Sequence, residues 1–288
     1  MIRYIKYYML KTFIAFLFTL ALCLNVHAED ASEKISGYIS NLIPGEGDTE
    51  VSIDLRENYK PDYSILAVRE IEKTEKGNLF TQFSLFNTEK NNDERIVGNL
   101  GIGQRFLNDD KTLMTGFNSF IDYDDAGNAR TSFGIEARSA VIEFAYSQYF
   151  GIGNATDEKV LDGYDLRLAS QIPHLHWADI FINTYEWQGE DRNDIKGTKL
   201  GSELLLKPSI NLELSYDDKD KKGLEDEWYA NIKFIYPPRS GPSLQDGFIN
   251  SIAWKDEKDM SGELLTKVKR NNKIMVEFKG SSTISRAD

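Results

Sequence analysis

Hydrophobic and polar side chains alternate along most of this chain. Around Asn99-Leu100-Gly101-Ile102-Gly103-Gln104-Arg105, Ile96, Leu100, Ile102 and Phe106 share one phase, while Asn99, Gly101, Gly103 and Arg105 take the other. After a short turn the pattern returns: Leu113, Phe117, Ile121 and Tyr123 against Gly116, Asn118 and Asp122. A period of two over about ten residues specifies a strand with one apolar and one polar face. A tilted strand of that length crosses a bilayer.

The same pattern predicts twelve strands between residues 50 and 237, at 50–55, 63–73, 78–87, 95–106, 112–124, 130–138, 141–150, 164–172, 177–187, 198–207, 210–217 and 227–236. The first two alternate least cleanly. Ile142, Phe144 and Tyr146 oppose Glu143, Ala145 and Ser147, and Ile210, Leu212, Leu214 and Tyr216 oppose Asn211, Glu213 and Ser215. The connections sort as well. Those after odd-numbered strands (56–62, 88–94, 125–129, 151–163, 188–197, 218–226) are long or very polar, and those after even-numbered strands (74–77, 107–111, 139–140, 173–176, 208–209) are mostly shorter. Only 125–129 and 107–111 do not discriminate. Tight turns on one side and longer loops on the other are the signature of an outer-membrane barrel, and an even strand count puts both barrel ends on the turn side. The predicted fold class is therefore all-β, a single-chain antiparallel transmembrane barrel. Hydrocarbon offers no hydrogen-bond partners, so the sheet has to close on itself.

In such a barrel the apolar phase meets lipid and the polar phase faces the lumen. The lumen-facing candidates are Asn99, Arg105, Asn118, Asp122, Glu136, Arg138, Asp165 and Arg167. Acids and bases are mixed there, which favours ion pairs across the lumen, since a lone buried charge is costly. Gly101, Gly103, Gly116 and Gly134 also fall on the lumen phase. Two explanations stand equal: something lies against that wall, or the glycines let the sheet curve.

Both flanks read differently. Arg3, Lys6 and Lys11 precede an uncharged apolar run from Thr12 to Leu24, and Val26-His27-Ala28 approximates a small-x-small cleavage site. Residues 1–28 thus read as a secretory signal peptide, too short in its apolar core to span comfortably. Residues 29–49 hold Ile35, Tyr38, Ile39 and Leu42 at helical spacing, which predicts a short periplasmic helix packed at an edge, or less simply a plug. The barrel occupies 50–237. In 238–288, Pro237-Pro238-Arg239-Ser240-Gly241-Pro242 ends the sheet, Leu244, Phe248, Ile249 and Ile252 recur at helical spacing, and Lys273 to Phe278 alternates weakly. This predicts a helix and linker that go either to the periplasm or back into the pore.

Composition narrows the function classes. Mean hydropathy is −0.44, which a barrel tolerates because alternation averages to polar. The formal charge is −12 and becomes −15 without the three basic residues of the signal, which argues against nucleic-acid binding through phosphates. Cys23 is the only cysteine and lies in the signal, after a leucine unsuited to lipid attachment, so disulfides play no expected part. His174 and His176 form an H-x-H pair without further ligands, and no serine or acid joins them in a nucleophile arrangement. Asp217-Asp218-Lys219-Asp220 lacks the spacing of a calcium loop and reads as a solvated turn. No catalytic residue, metal site or cofactor is expected, and the chain is not expected to be an enzyme.

Several motifs together resemble the translocation domain of inverse autotransporters, the group containing intimin and invasin. They are Thr49-Glu50-Val51-Ser52-Ile53, the two stretches around Asn99–Arg105 and Gly116–Asp124, Gly134-Ile135-Glu136-Ala137, and Gly163-Tyr164-Asp165-Leu166-Arg167 with Pro173. The likeness is clearest at Val268-Lys269-Arg270-Asn271-Asn272-Lys273-Ile274-Met275-Val276-Glu277-Phe278, where Val268, Arg270, Asn271, Asn272, Ile274 and Glu277 carry the motif. The resemblance implies a twelve-stranded outer-membrane barrel whose pore holds the following segment. It also implies outer-membrane lipid, periplasmic chaperones and the barrel-assembly machinery as partners. Family members carry an adhesive passenger after this motif. Here the sequence stops about ten residues later, so the expectation is an anchor and translocator without an adhesin passenger, and adhesion is not carried over. The alternative from the residues alone is a small porin-like channel.

Overall fold

A computed structural model of the chain describes Tyr38 and residues 43–278, apart from 58, 91–92, 191–192, 221–225 and 256–258. The proposed signal peptide and nearly all of the 29–42 helix lie outside the described residues. Fourteen strands follow in order: β1 (Thr49–Arg56), β2 (Asp62–Thr74), β3 (Gly77–Lys90), β4 (Asp93–Leu107), β5 (Leu113–Asp124), β6 (Ala129–Ser139), β7 (Ile142–Gly153), β8 (Glu158–Val160), β9 (Gly163–Ile172), β10 (Leu175–Trp187), β11 (Ile195–Lys207), β12 (Ile210–Lys219), β13 (Glu227–Tyr236) and β14 (Val276–Phe278).

Twelve of them form one closed antiparallel barrel, with β7 paired to β9 and β1 to β13. Thr49 faces Tyr236 in the closing register, so both barrel ends share a rim with the tight turns. We call this the turn rim and the other the loop rim. Outer-membrane barrels keep turns periplasmic and loops outside. Among the described residues no helix is long and apolar enough to cross a membrane, and it is the strands that cross.

The pleat sorts the side chains. On the outer face Leu100 is 60% exposed, Phe117 56% and Phe133 58%. On the inner face Arg105, Asp122 and Arg130 are fully buried. Large apolar groups outside and charges sealed inside invert a soluble sandwich, and lipid is the solvent that makes this arrangement favourable.

Two expectations change in detail. Of the polar 88–94 stretch, residues 88–90 and 93–94 belong to the ladder, because β3 and β4 stay in register to Lys90 and Asp93. Beyond the lipid the ladder no longer needs an apolar face, so hydrophobic alternation stops before pairing does. The helix expected near Leu244–Ile252 is one 3₁₀ turn, Leu244–Asp246, capped by Ser243. Gly247 follows at φ 141°, a conformation that ends helical geometry. The next residues give their backbone groups to the β9–β10 turn instead: Asn250 N donates to His174 O at 2.8 Å, and His174 N to Ala253 O at 2.7 Å.

The chain after β13 therefore runs along the turn rim. It passes the β11–β12 turn through Arg239 N and Pro208 O (2.7 Å) and reaches the β4–β5 turn through Met260 N and Lys111 O (2.8 Å). There it enters the lumen through a second 3₁₀ turn, Met260–Glu263, and climbs to the loop rim. At the top β14 pairs with β8, Val276 opposite Val160.

Candidate functional site

The occupied lumen is the site. Residues 260–278, the pore segment, touch a separate apolar cluster at each level. Met260 and Leu264 pack on Leu107 and Met114, Val268 on Leu66, Val68, Phe80 and Phe120, and Ile274 and Val276 on Phe86, Val97 and Val160.

The glycine wall explains the second cluster. Gly103 lies opposite Phe80 in register and Gly101 opposite Phe120. A Cβ at Gly103 would sit 2.4 Å from the Phe80 ring, and one at Gly101 2.3 Å from the Phe120 ring. What lies on these glycines is thus an aromatic ring from the neighbouring strand, laid flat across the wall. The pore segment rests on the rings. The Arg270 guanidinium stands 4.2 Å over Phe120 and that of Arg105 4.4 Å over Phe80. Trp187 over Gly163 and Phe181 over Gly201 repeat the device on β9–β11.

Polar contacts fix the height of the segment. Arg105 donates Nη1 to the carbonyls of Leu264 (2.8 Å) and Thr266 (2.6 Å), while its Nε donates to Glu136 Oε1 at 2.8 Å. Arg138 donates to Thr266 Oγ1 (2.7 Å), Lys267 O (2.8 Å) and Glu136 (3.1 Å). Higher up, Asp122 accepts from Arg130 Nε at 2.8 Å, from Arg270 Nη2 at 2.6 Å and from Asn99 Nδ2 at 2.7 Å. Asn99 also donates to Asn272 O (3.0 Å) and Arg130 to Asn271 O (2.9 Å). Asn271 N donates to the Tyr149 hydroxyl at 2.8 Å and to Asp165 Oδ2 at 3.0 Å.

Of the eight lumen candidates, Asn99, Arg105, Asp122, Arg138 and Asp165 touch the segment directly. Glu136 holds Arg105 and Arg138. Arg167 ties Glu143 (3.1 Å) to Glu203 (2.7 Å), and Glu203 receives Lys269 at 2.6 Å. The Asn118 side chain is buried over Gly134 and has no hydrogen-bond partner among the described residues. In the segment, Val268, Arg270, Asn271, Asn272 and Ile274 meet the wall as described, and Glu277 accepts from Glu190 N at 3.1 Å. Sequence reasoning left out Gln82, whose Oε1 accepts from Val268 N (2.8 Å), Arg130, Tyr149 and the acids Glu50 and Asp62, which hold Lys267 (2.6 Å) and Lys273 (3.0 Å). Gln82, Arg130, Tyr149 and Glu50 lie on inward-phase positions of predicted strands, which is the signal that was available for them; Asp62 fell in the 56–62 connection and carried none.

Most wall groups thus read the segment's backbone, whereas its four cations each take an acid from a different strand. The two histidines also serve the backbone. His174 Nδ1 pairs with Asn250 O and His176 Nε2 with Ile252 O, both at 3.0 Å. Among the described residues no group of three potential metal ligands comes together.

Residues 18–272 match the family described as inverse autotransporter, beta-domain. Intimin of Escherichia coli O111:H- is 25% identical over 212 residues, which is 67% of this chain and 22% of intimin. Intimin of Citrobacter freundii is 24% identical over 212 residues, with the same coverage of 67% and 22%. The chain thus spans about a fifth of the length of these relatives. A solved structure from work on in-meso crystallization of membrane proteins shares the fold at a TM-score of 0.59 and 20% identity, over 81% of this chain and 100% of that one.

Proposed function

Because the chain belongs to the inverse autotransporter β-domain family, we propose that it anchors in the outer membrane and carries its own C-terminal segment outward through its pore. The observation that carries this reading is the path of residues 260–278, from Met260 at the turn rim to β14 at the loop rim. A barrel built for free diffusion has no reason to spend Arg105, Arg138, Asp122 and Asn99 on one extended chain in its lumen.

In this reading residues 1–28 direct export and are cleaved near Ala28. Periplasmic chaperones and the assembly machinery deliver the barrel to its lipid. The work of the site is to hold and orient a polypeptide. What a longer segment would contact outside is set by that segment.

The test is an epitope fused after Asp288 and expressed in intact cells. Surface labelling of the epitope and its removal by external protease are the expected results. An epitope that becomes accessible only after the outer membrane is permeabilised overturns the reading.

A further inference from the structure

The pore segment does not fill the lumen evenly. It lies mainly against the wall from β2 to β9, where three apolar clusters and the arginine contacts are, and only at the loop rim does Met275 also pack on Tyr185, Trp187 and Ile195 of β10 and β11. Along β1 and β10–β13 two polar cavities remain. One of about 270 Å³ toward the loop rim is lined by Ser52, Asn183, Ser215, Tyr229 and Asn231. One of about 290 Å³ toward the turn rim is lined by Asp48, Asp179, Asn211 and Arg239. Each has room for several water molecules. Glu50, Glu203, Lys233, Lys267 and Lys269 line both, so the cavities meet at one charged constriction.

A second observation points to water on this side. Asn183 Oδ1, Asn211 Oδ1, Ser215 Oγ and Asn231 Oδ1 are buried without a hydrogen-bond partner among the described residues. All four belong to β10, β12 or β13 and line the cavities. Buried polar atoms need a partner, and water in the adjoining space supplies one. At the constriction Lys267–Glu50 (2.6 Å), Lys269–Glu203 (2.6 Å) and Lys233–Glu213 (2.5 Å) balance charge on flexible side chains rather than closing the space with apolar packing.

We propose that the lumen has two lanes: while the pore segment occupies the β2–β9 wall, a water-filled lane along β1 and β10–β13 conducts small inorganic ions past it. This rests on the threaded segment of the proposed function. Lys233 lines both cavities, so the space between them is bounded by charged side chains.

The experiment uses the full chain with the pore segment locked by a disulfide between Val160→Cys and Val276→Cys, which face each other in register. The oxidised protein is placed in planar bilayers under a potassium chloride gradient. A small, steady conductance is expected. Glu213→Gln shifts the reversal potential toward chloride and Lys233→Gln toward potassium. In an unlocked chain, a charged methanethiosulfonate on Ser215→Cys lowers the conductance at least twofold. A locked barrel that is electrically silent overturns the lane while leaving the threaded segment standing. Conductance indifferent to all three substitutions overturns it too, because the ions then pass elsewhere. Failure of the lock to form overturns the threaded segment and the lane with it.

Discussion

Asp122 is the acid that ties two wall strands and the pore segment to its own strand. It is fully buried and holds Arg130, Arg270 and Asn99 at once, joining β4, β5, β6 and the pore segment. Removing one partner of a buried pair leaves the other charge uncompensated, at a cost of roughly 3–5 kcal/mol. Asp122→Ala should cost at least that, since two guanidiniums are left. The readout is the temperature at which the purified barrel loses its compact, heat-modifiable migration on gels. Asp122→Asn keeps the Asn99 contact and should fall by less. At the turn rim Asp48 offers a pH handle. Burial lifts its carboxyl to about 6, against the pull of Arg239 at 2.8 Å. The folded protein then binds this proton more readily than the unfolded chain does. This group's contribution therefore grows as pH falls from about 6 to about 4 and is flat below. Asp48→Asn should remove that slope from unfolding curves, and Arg239→Gln should raise the Asp48 midpoint in a carboxyl titration.

At the scale of elements, the paired glycine and aromatic are what shape the wall. Gly163 lies beneath Trp187, where a Cβ would stand 2.4 Å from the ring and 2.3 Å from Glu186 O. The carbonyl cannot move out of the way as a side chain can. Gly163→Ala should therefore cost about 1–3 kcal/mol through overpacking, seen as a lower unfolding midpoint in detergent. By contrast Gly127 faces open space, and the same substitution acts there only through its left-handed backbone. Strand existence, face and order were legible in the sequence, because alternation in lipid is enforced on every strand. Arg105 and Asp122 could be placed on the inner face for the same reason. What they hold could not be read, since a period of two names the face but not the row that aligns across the lumen. The helix at Leu244–Ile252 failed on this point as well. Its spacing was helical, yet Gly247 and the free edge groups of the β9–β10 turn offered those backbone groups another structure. The pairing of 88–90 with 93–95 was missed because alternation reports lipid contact, and pairing continues past the lipid.

At the scale of the molecule, barrel and pore segment form one charge system. Lys267, Lys269, Arg270 and Lys273 meet Glu50, Glu203, Asp122 and Asp62 on four different strands. Neutralising all four cations to glutamine should lower the unfolding temperature of the barrel itself and not merely loosen the segment, because the wall acids lose their partners. The most direct check of the threaded barrel is oxidation of the Val160→Cys/Val276→Cys chain in native outer membranes, scored by gel mobility with and without reductant. Most of the chain is expected to be cross-linked within itself. Two free thiols, with the one introduced on β14 labelled only by reagents that reach the periplasm, would contradict it.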